Sequence, residues 1–116
     1  MKKHNKGWGF ELWIHNDSKY CGKLLSFDKG KKCSFHYHVR KHETFYVRSG
    51  ELRCKFVPFE DILNEEAYPF TCLTAGDSYE VPPYLVHQME AVTDVEMFEF
   101  STQHFEEDSY RVRKGD

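Results

Sequence analysis

The sequence predicts an all-β fold, a sandwich or barrel of short strands. β-branched and aromatic residues recur in short runs that Gly, Pro, Asn or Asp separate. No long stretch has helical periodicity. The chain has 116 residues, of which 40% are hydrophobic and 16% aromatic, and this is enough apolar material for one core. A single domain over residues 1–116 is therefore expected.

Ten strands are predicted, and turn-forming residues separate most of them. They cover residues 10–14, 21–27, 33–39, 43–48, 52–57, 71–73, 78–81, 87–91, 95–101 and 110–112. Residues 60–67 are the one helix-like stretch. They are predicted to form a helical turn or a loop, because Pro69 stops a helix there.

Charge and hydropathy exclude several classes of partner. Sixteen Lys and Arg against nineteen Asp and Glu give a net charge of −3, with both signs scattered, so nucleic acid is not an expected partner. No segment approaches the ~20 apolar residues of a membrane span, so a cytoplasmic protein without a membrane partner is expected. The four cysteines form no CxxC pair, and reduced, partly buried thiols are predicted for Cys21, Cys33, Cys54 and Cys72.

One predicted strand carries a pair of possible metal ligands. His36 and His38 are two residues apart, so their imidazoles point to the same face. Glu43 follows after a short turn, on the same strand face as Phe45 and Val47, and a lone inward carboxylate needs a partner. Imidazoles with one carboxylate suit one divalent ion of Zn, Mn, Fe, Co or Ni. The alternative is a pair of surface or hydrogen-bonded core histidines, which is the usual role of His on a strand.

The spacing of glycines around these residues resembles the first cupin motif. Gly30, His36, His38, Glu43 and Gly50 reproduce that motif without a gap. The resemblance implies a double-stranded β-helix, the jelly-roll barrel of cupins.

A later segment resembles the second cupin motif. Gly76, Pro82 and His87 have its spacing, although Tyr84 replaces the usual Gly and Ala91 the usual Asn. The resemblance implies that His87 is the fourth ligand, beside His36, His38 and Glu43.

Three segments resemble the small cupin domain of type II phosphomannose (mannose-6-phosphate) isomerases and its stand-alone relatives. They are residues 7–11, 34–47 and 99–112. The resemblance implies a sugar or sugar-phosphate substrate and a homodimer, with residues 11–14 as one candidate for pairing between subunits. Trp8 and Trp13 are predicted to be core residues rather than interface residues.

Aldose–ketose isomerisation needs a base near neutral pKa. Glu99 is the first candidate, because alternation along residues 97, 99 and 101 can place it on an inner face. Lesser candidates are Glu11, His42 and Glu80. For each of them a solvent-facing position is the alternative.

A substrate phosphate needs Arg or Lys with convergent geometry. Arg111 matches the terminal Arg of the family, and Arg40 and Lys41 are also conceivable, although each can equally be a solvated surface residue. Tyr46, Tyr84 and Gln103 are predicted to line the mouth of the site, unless they serve in packing.

Three functions follow from these patterns. The first is a metal-dependent sugar or sugar-phosphate isomerase. The second is a cupin dioxygenase that uses iron or nickel held by three His and one Glu. The third is a cupin that binds a sugar without turnover, since a fold alone does not fix chemistry.

Overall fold

The computed structural model describes residues 1–116 as two antiparallel sheets that enclose one interior. The larger sheet has the strand order β1 (Lys2–Lys6), β2 (Gly9–Asn16), β3 (Cys21–Phe27), β10 (Val95–Ser101), β5 (Glu43–Ser49), β8 (Ser78–Val81). The smaller sheet has the order β11 (Tyr110–Arg113), β4 (Phe35–Tyr37), β9 (Leu85–Ala91), β6 (Glu51–Pro58), β7 (Thr71–Thr74). The predicted all-β jelly-roll barrel is confirmed.

Two strands differ from the prediction. β1 was not predicted, because its sequence is basic and polar and has low strand propensity; it forms by pairing along β2. The strand predicted over residues 33–39 is reduced to Phe35–Tyr37. The chain bends after Tyr37, since the backbone N–H groups of Val39 and Arg40 bind a carboxylate instead of a neighbouring strand.

Apolar side chains fill part of the space between the sheets. Fifteen buried residues form this core, among them Phe27, Phe45, Leu52 and Met97, and each fully buried side chain of this size contributes about 1.5–3 kcal/mol. Trp8 belongs to the core, as predicted. Polar residues line the rest of the interior.

The outer face of the smaller sheet is covered by the 3-10 helical segment Phe59–Ala67, where a helical turn or loop was predicted. Its Ile62 packs on a second apolar cluster of Phe35, Val57 and Val86. This segment is too short and too polar to span a membrane, and no other helix is present.

The strand suggested for pairing between subunits is already paired within the chain. Residues 11–14 lie in β2, which has β1 on one side and β3 on the other. The edge strands of this sheet are β1 and β8. In this structure residues 11–14 pair within the chain, and the homodimer and its pairing segment stay predictions.

Candidate metal centre

Three histidines converge on one point inside the barrel. His36 on β4 and His87 on β9 are direct partners on neighbouring strands. His38 follows one residue after β4 ends, and its ring lies beside both. One ring nitrogen from each of the three lies within 4.8 Å of the others. His36 and His38, which are two residues apart, thus point to the same side, as strand alternation predicts.

The outer nitrogen of each ring is held by a backbone carbonyl. His36 Nδ1 donates to Ser34 O and His87 Nδ1 donates to Leu85 O, each at 2.9 Å. His38 Nδ1 donates to Asp108 O. A proton on Nδ1 leaves the lone pair on Nε2, which is the form that ligates a metal. Burial also lowers the pKa of His36 well below 6.5 and that of His38 to about 4, so both rings are neutral at pH 7.

Glu43 directs a carboxylate oxygen at this cluster. Its Oε2 is 3.4 Å from His38 Nε2 and 3.3 Å from His87 Nε2, yet it is buried without a hydrogen-bond partner. Burial opposes ionisation of Glu43, but the ammonium group of Lys41 is the main opposing influence, and the pKa is held well below 4.5. An anionic oxygen that faces two lone pairs is unfavourable unless a cation lies between them.

These distances fit a bound metal ion. Ligand atoms about 2.1 Å from one ion stand roughly 3 to 3.5 Å apart. Beside the cluster, the single ammonium group of Lys41 is shared by two buried carboxylates, Glu43 and Glu99, so one negative charge is left for a cation to compensate. The three histidines, with Glu43 nearby, can therefore hold a metal ion.

A buried lysine connects Glu43 to the rest of the cavity. Lys41 Nζ lies 3.3 Å from Glu43 Oε1, 3.0 Å from Glu99 Oε2 and 3.1 Å from His104 Nδ1. Burial lowers the pKa of Lys41, but Glu99 and Glu43 outweigh this and raise it above 10.5. Lys41 was considered for a substrate phosphate; its charge is instead shared by two carboxylates. Glu99 lies on the inner face of β10, where alternation placed it.

Asp108 fixes the connection between β4 and β5. Its buried carboxylate accepts hydrogen bonds from the backbone N–H groups of Val39, Arg40 and Lys41 at 2.9–3.2 Å. Its own carbonyl orients His38. The sequence does not single out Asp108, because it follows two other acidic residues in a polar stretch and only the fold buries it.

An open cavity of about 770 Å³ extends from the metal cluster. Glu11, Trp13, Lys23, His104 and Arg111 lie on its wall. Burial raises the pKa of Glu11, but Lys23 and a hydrogen bond from Trp13 outweigh this and keep it below 4.5. Burial, together with the positive charges of the two nearby lysines, lowers the pKa of His104 to about 3. His104 was not predicted as a site residue, and Trp13 lies on the cavity wall rather than in the core.

Other predicted site residues lie outside the cavity. His42 is exposed and pairs with Glu80 at 2.7 Å, so neither faces the metal cluster. Tyr46 is on the outer face of β5, because its neighbours Phe45 and Val47 point inward. The cavity wall does not include Gln103, Tyr84 or Arg40.

Two of these residues have clear alternative contacts. Tyr84 lies in the turn before β9 and stacks on Tyr37, with ring centroids 6.1 Å apart. The Arg40 guanidinium lies 3.7 Å from the centre of the Phe105 ring. Their predicted contact with substrate is not supported by these positions.

Comparison with known proteins gives a family and a fold. The sequence profile described as Cupin matches residues 16–112. No curated protein has a significant match.

Solved structures share the architecture at low identity. The capsular polysaccharide assembling protein CapF from Staphylococcus aureus is 17% identical, with a TM-score of 0.81 over 97% of this chain and 32% of that chain. An oxalate decarboxylase variant from Bacillus subtilis is 16% identical, with a TM-score of 0.79 over 96% and 30%. An RmlC-like cupin from Shewanella frigidimarina is 21% identical, with a TM-score of 0.72 over 91% and 86%. The chain thus spans about a third of CapF, and these likenesses show the fold.

Proposed function

Because the chain belongs to the cupin family, we propose that it is a metal-dependent enzyme that interconverts an aldose and a ketose, as free sugars or sugar phosphates. The observation that carries the proposal is the unpartnered Oε2 of Glu43, which faces two histidine Nε2 atoms at the base of an open polar cavity.

Four residues would hold the ion: His36, His38, Glu43 and His87. Three nitrogens and one carboxylate oxygen are a donor set suited to Zn, Mn, Fe, Co or Ni, and they leave positions open for substrate. When bound there, a divalent ion would supply Lewis-acid polarisation of the substrate oxygens, which makes the C–H bond next to the carbonyl more acidic.

Glu99 is the residue proposed to move that proton. Both of its hydrogen bonds, from Lys41 at 3.0 Å and from Ser101 at 3.2 Å, use Oε2. Oε1 makes no hydrogen bond within the protein and belongs to a residue on the cavity wall. A carboxylate oxygen in this position can take a proton from C1 or C2 and return it to the other carbon.

Lys41 is proposed as the residue that positions this base. Its ammonium contacts a ligand carboxylate on one side and Glu99 on the other. The contact fixes the Glu99 side chain and leaves one of its oxygens to the substrate.

Two observations favour sugars over other substrates. Residues 99–112, which resemble the sugar isomerases, supply Glu99, His104 and Asp108 to the cavity and to the support of His38. CapF, one of the structural neighbours, is described as assembling a capsular polysaccharide. The dioxygenase alternative shares the ligand set but gives no role to the Lys41–Glu99 pair.

The test is turnover by metal-loaded protein in deuterated water. A panel of aldoses, ketoses and their phosphates is incubated with the Mn, Co or Zn form, and NMR follows deuterium uptake at C2. Glu99→Gln should lower turnover at least about 100-fold while metal content is unchanged. Glu96→Gln, on the same strand and paired with Arg48 at the surface, should leave it intact.

The competing functions give different results in the same experiment. Oxygen consumption with an enediol substrate would favour the dioxygenase. Tight sugar binding without any turnover would favour a binding protein. Turnover that Glu99→Gln leaves unchanged would refute the assigned base.

A further inference from the structure

The end of the cavity formed by β1, β2 and β3 holds polar groups that the proposed proton transfer does not use. Glu11 and Lys23 point into the interior from neighbouring strands, beside Trp13 and His4. Lys23 interrupts an otherwise apolar inward row on β3. A charged pair in this position needs an explanation, since burial of ionised groups is costly.

Lys23 has more donor capacity than the protein uses. The residue is only 1% exposed, and its Nζ lies 3.5 Å from Glu11 Oε1 and 4.5 Å from the centre of the Trp13 ring. These are its only polar or cation–π contacts. An ammonium group carries three N–H donors, so at least two of them have no acceptor within the chain.

Glu11 offers the complementary capacity. Its Oε1 accepts hydrogen bonds from Trp13 Nε1 at 2.9 Å and from Lys23. Its Oε2 makes no hydrogen bond in the protein. Lys23 compensates the charge of Glu11, so this end presents donors and an acceptor side by side.

His4 adds a third polar atom. Its ring stacks on Trp13 with centroids 4.1 Å apart, and its Nε2 is buried without a hydrogen-bond partner. His4 and Glu11 are direct partners on β1 and β2. The stacking fixes the orientation of the ring.

The distance between Glu99, the proposed base, and this polar end of the cavity fits the length of a short carbon chain. Trp13, Lys23 and Glu99 are aligned across β2, β3 and β10. Neighbouring strands are about 4.8 Å apart, so Lys23 lies one strand from the proposed base and Trp13 lies two. A sugar whose reacting end lies at Glu99 would therefore bring its other end to this row.

From this arrangement we infer that Lys23 and Glu11 form a subsite for vicinal hydroxyl groups of the substrate. Each hydroxyl is both a donor and an acceptor, so one can accept from Lys23 while its neighbour donates to Glu11 Oε2. A phosphate dianion only accepts hydrogen bonds, and Glu11 repels its charge, so this end favours hydroxyl groups over a phosphate. The inference rests on the proposed function for the placement of the reacting end.

Unreactive polyols test the subsite without turnover. Calorimetric titration of Mn-loaded protein compares glycerol, which can reach only the metal, with D-sorbitol, which can reach both ends. Wild type should bind D-sorbitol at least tenfold more tightly than glycerol. Lys23→Met and Glu11→Gln should each abolish that difference and leave glycerol affinity unchanged. Lys29→Met, at an exposed position on a turn, is the matched control.

Two further measurements separate a subsite from a structural role. Thermal melts without ligand show whether both variants are folded at the assay temperature, and Trp13→Phe, which removes the hydrogen bond to Glu11 but keeps an aromatic ring, should weaken D-sorbitol binding more than glycerol binding. D-sorbitol phosphate should bind no more tightly than D-sorbitol. Tighter binding of the phosphate that Lys23→Met removes would identify an anion subsite and overturn the inference.

The remaining outcomes distinguish this inference from the proposed function. Variants that bind D-sorbitol as wild type does, while sugar turnover persists, overturn the subsite alone. Loss of D-sorbitol binding in both variants without turnover of any sugar supports the subsite and overturns the isomerase. Failure of loaded wild type to bind any polyol overturns the subsite directly.

Discussion

Glu43 is the side chain whose surroundings most require a bound cation. Its Oε2 is buried, has no hydrogen-bond donor, and faces two ring nitrogens whose protons are committed to the other side of each ring. Lys41 compensates part of the charge through Oε1 only. A metal ion is the group that satisfies all of these atoms together.

Replacing this carboxylate by an amide should weaken metal binding. Glu43→Gln keeps the shape but loses the charge, and we expect at least a tenfold loss of affinity for Zn or Mn, because one anionic ligand is removed. Competition with a chromophoric chelator measures it. Glu80→Gln, which breaks only the surface pair with His42, is the control. Equal affinities of wild type and Glu43→Gln would show that Glu43 is not a ligand.

His104 should make stability fall as the pH is lowered. Burial and the nearby lysines hold its folded-state pKa at about 3, below the 6.5 of an exposed ring. The unfolded chain therefore takes up the proton first, so the contribution of His104 is complete above pH 6.5 and is lost progressively between 6.5 and 3.

The His104→Gln variant isolates this effect. Between pH 7 and pH 5, wild type should lose about 1 kcal/mol more unfolding free energy than the variant, a value reduced because part of the ring reaches solvent. Urea denaturation in EDTA at the two pH values measures it, and the histidines of the metal cluster contribute equally to both proteins. Equal losses of unfolding free energy in wild type and variant would mean that folding does not lower the pKa of His104.

At the scale of elements, the turn before β9 carries a strained residue. Tyr84 has a φ of 67°, in the left-handed region that favours glycine, and glycine is the residue usual at this place in the second cupin motif. Its backbone N–H binds His38 O and its carbonyl accepts from Phe59 N–H. These bonds hold the conformation against its cost.

Two substitutions at this position separate backbone strain from the loss of the ring. Tyr84→Gly and Tyr84→Ala both remove the stacking on Tyr37, but only glycine adopts the observed φ without strain. The glycine variant should therefore be more stable than the alanine variant by about 1 kcal/mol. Urea denaturation of the pair checks this. An alanine variant as stable as the glycine variant would contradict the assigned strain.

The elements that the sequence predicts well are those with a strong local pattern. Alternation correctly predicted that Glu99 lies on an inner face. The same alternation puts Tyr46 on the opposite side of its strand from Glu43, which contradicts the prediction that Tyr46 lines the mouth of the site. β1 has no such pattern and depends on its partner. Asp108 and His104 lie in an irregular segment, where no periodicity indicates which side chains turn inward. Lys23 was not predicted as a cavity residue, because a lysine within a strand normally faces solvent.

At the scale of the whole molecule, the metal cluster joins the two sheets. His36 and His87 belong to the smaller sheet, and His38 follows directly after one of its strands, whereas Glu43 begins β5 of the larger sheet. Strand pairing connects His36 to His87, but it does not connect the histidines to Glu43. A bound ion therefore adds a cross-link between sheets that otherwise meet through packing.

Metal binding should stabilise both sheets together. With free Zn or Mn at one hundred times its Kd, unfolding free energy should rise by about 2.7 kcal/mol, because only the folded chain presents the assembled site. Thermal unfolding with metal and with EDTA measures the rise, and hydrogen exchange should show added protection in both β5 and β9. His87→Ala should abolish the rise, whereas the exposed His42→Ala should retain it. Protection confined to β9 would mean that the ion is held by histidines of one sheet, without Glu43.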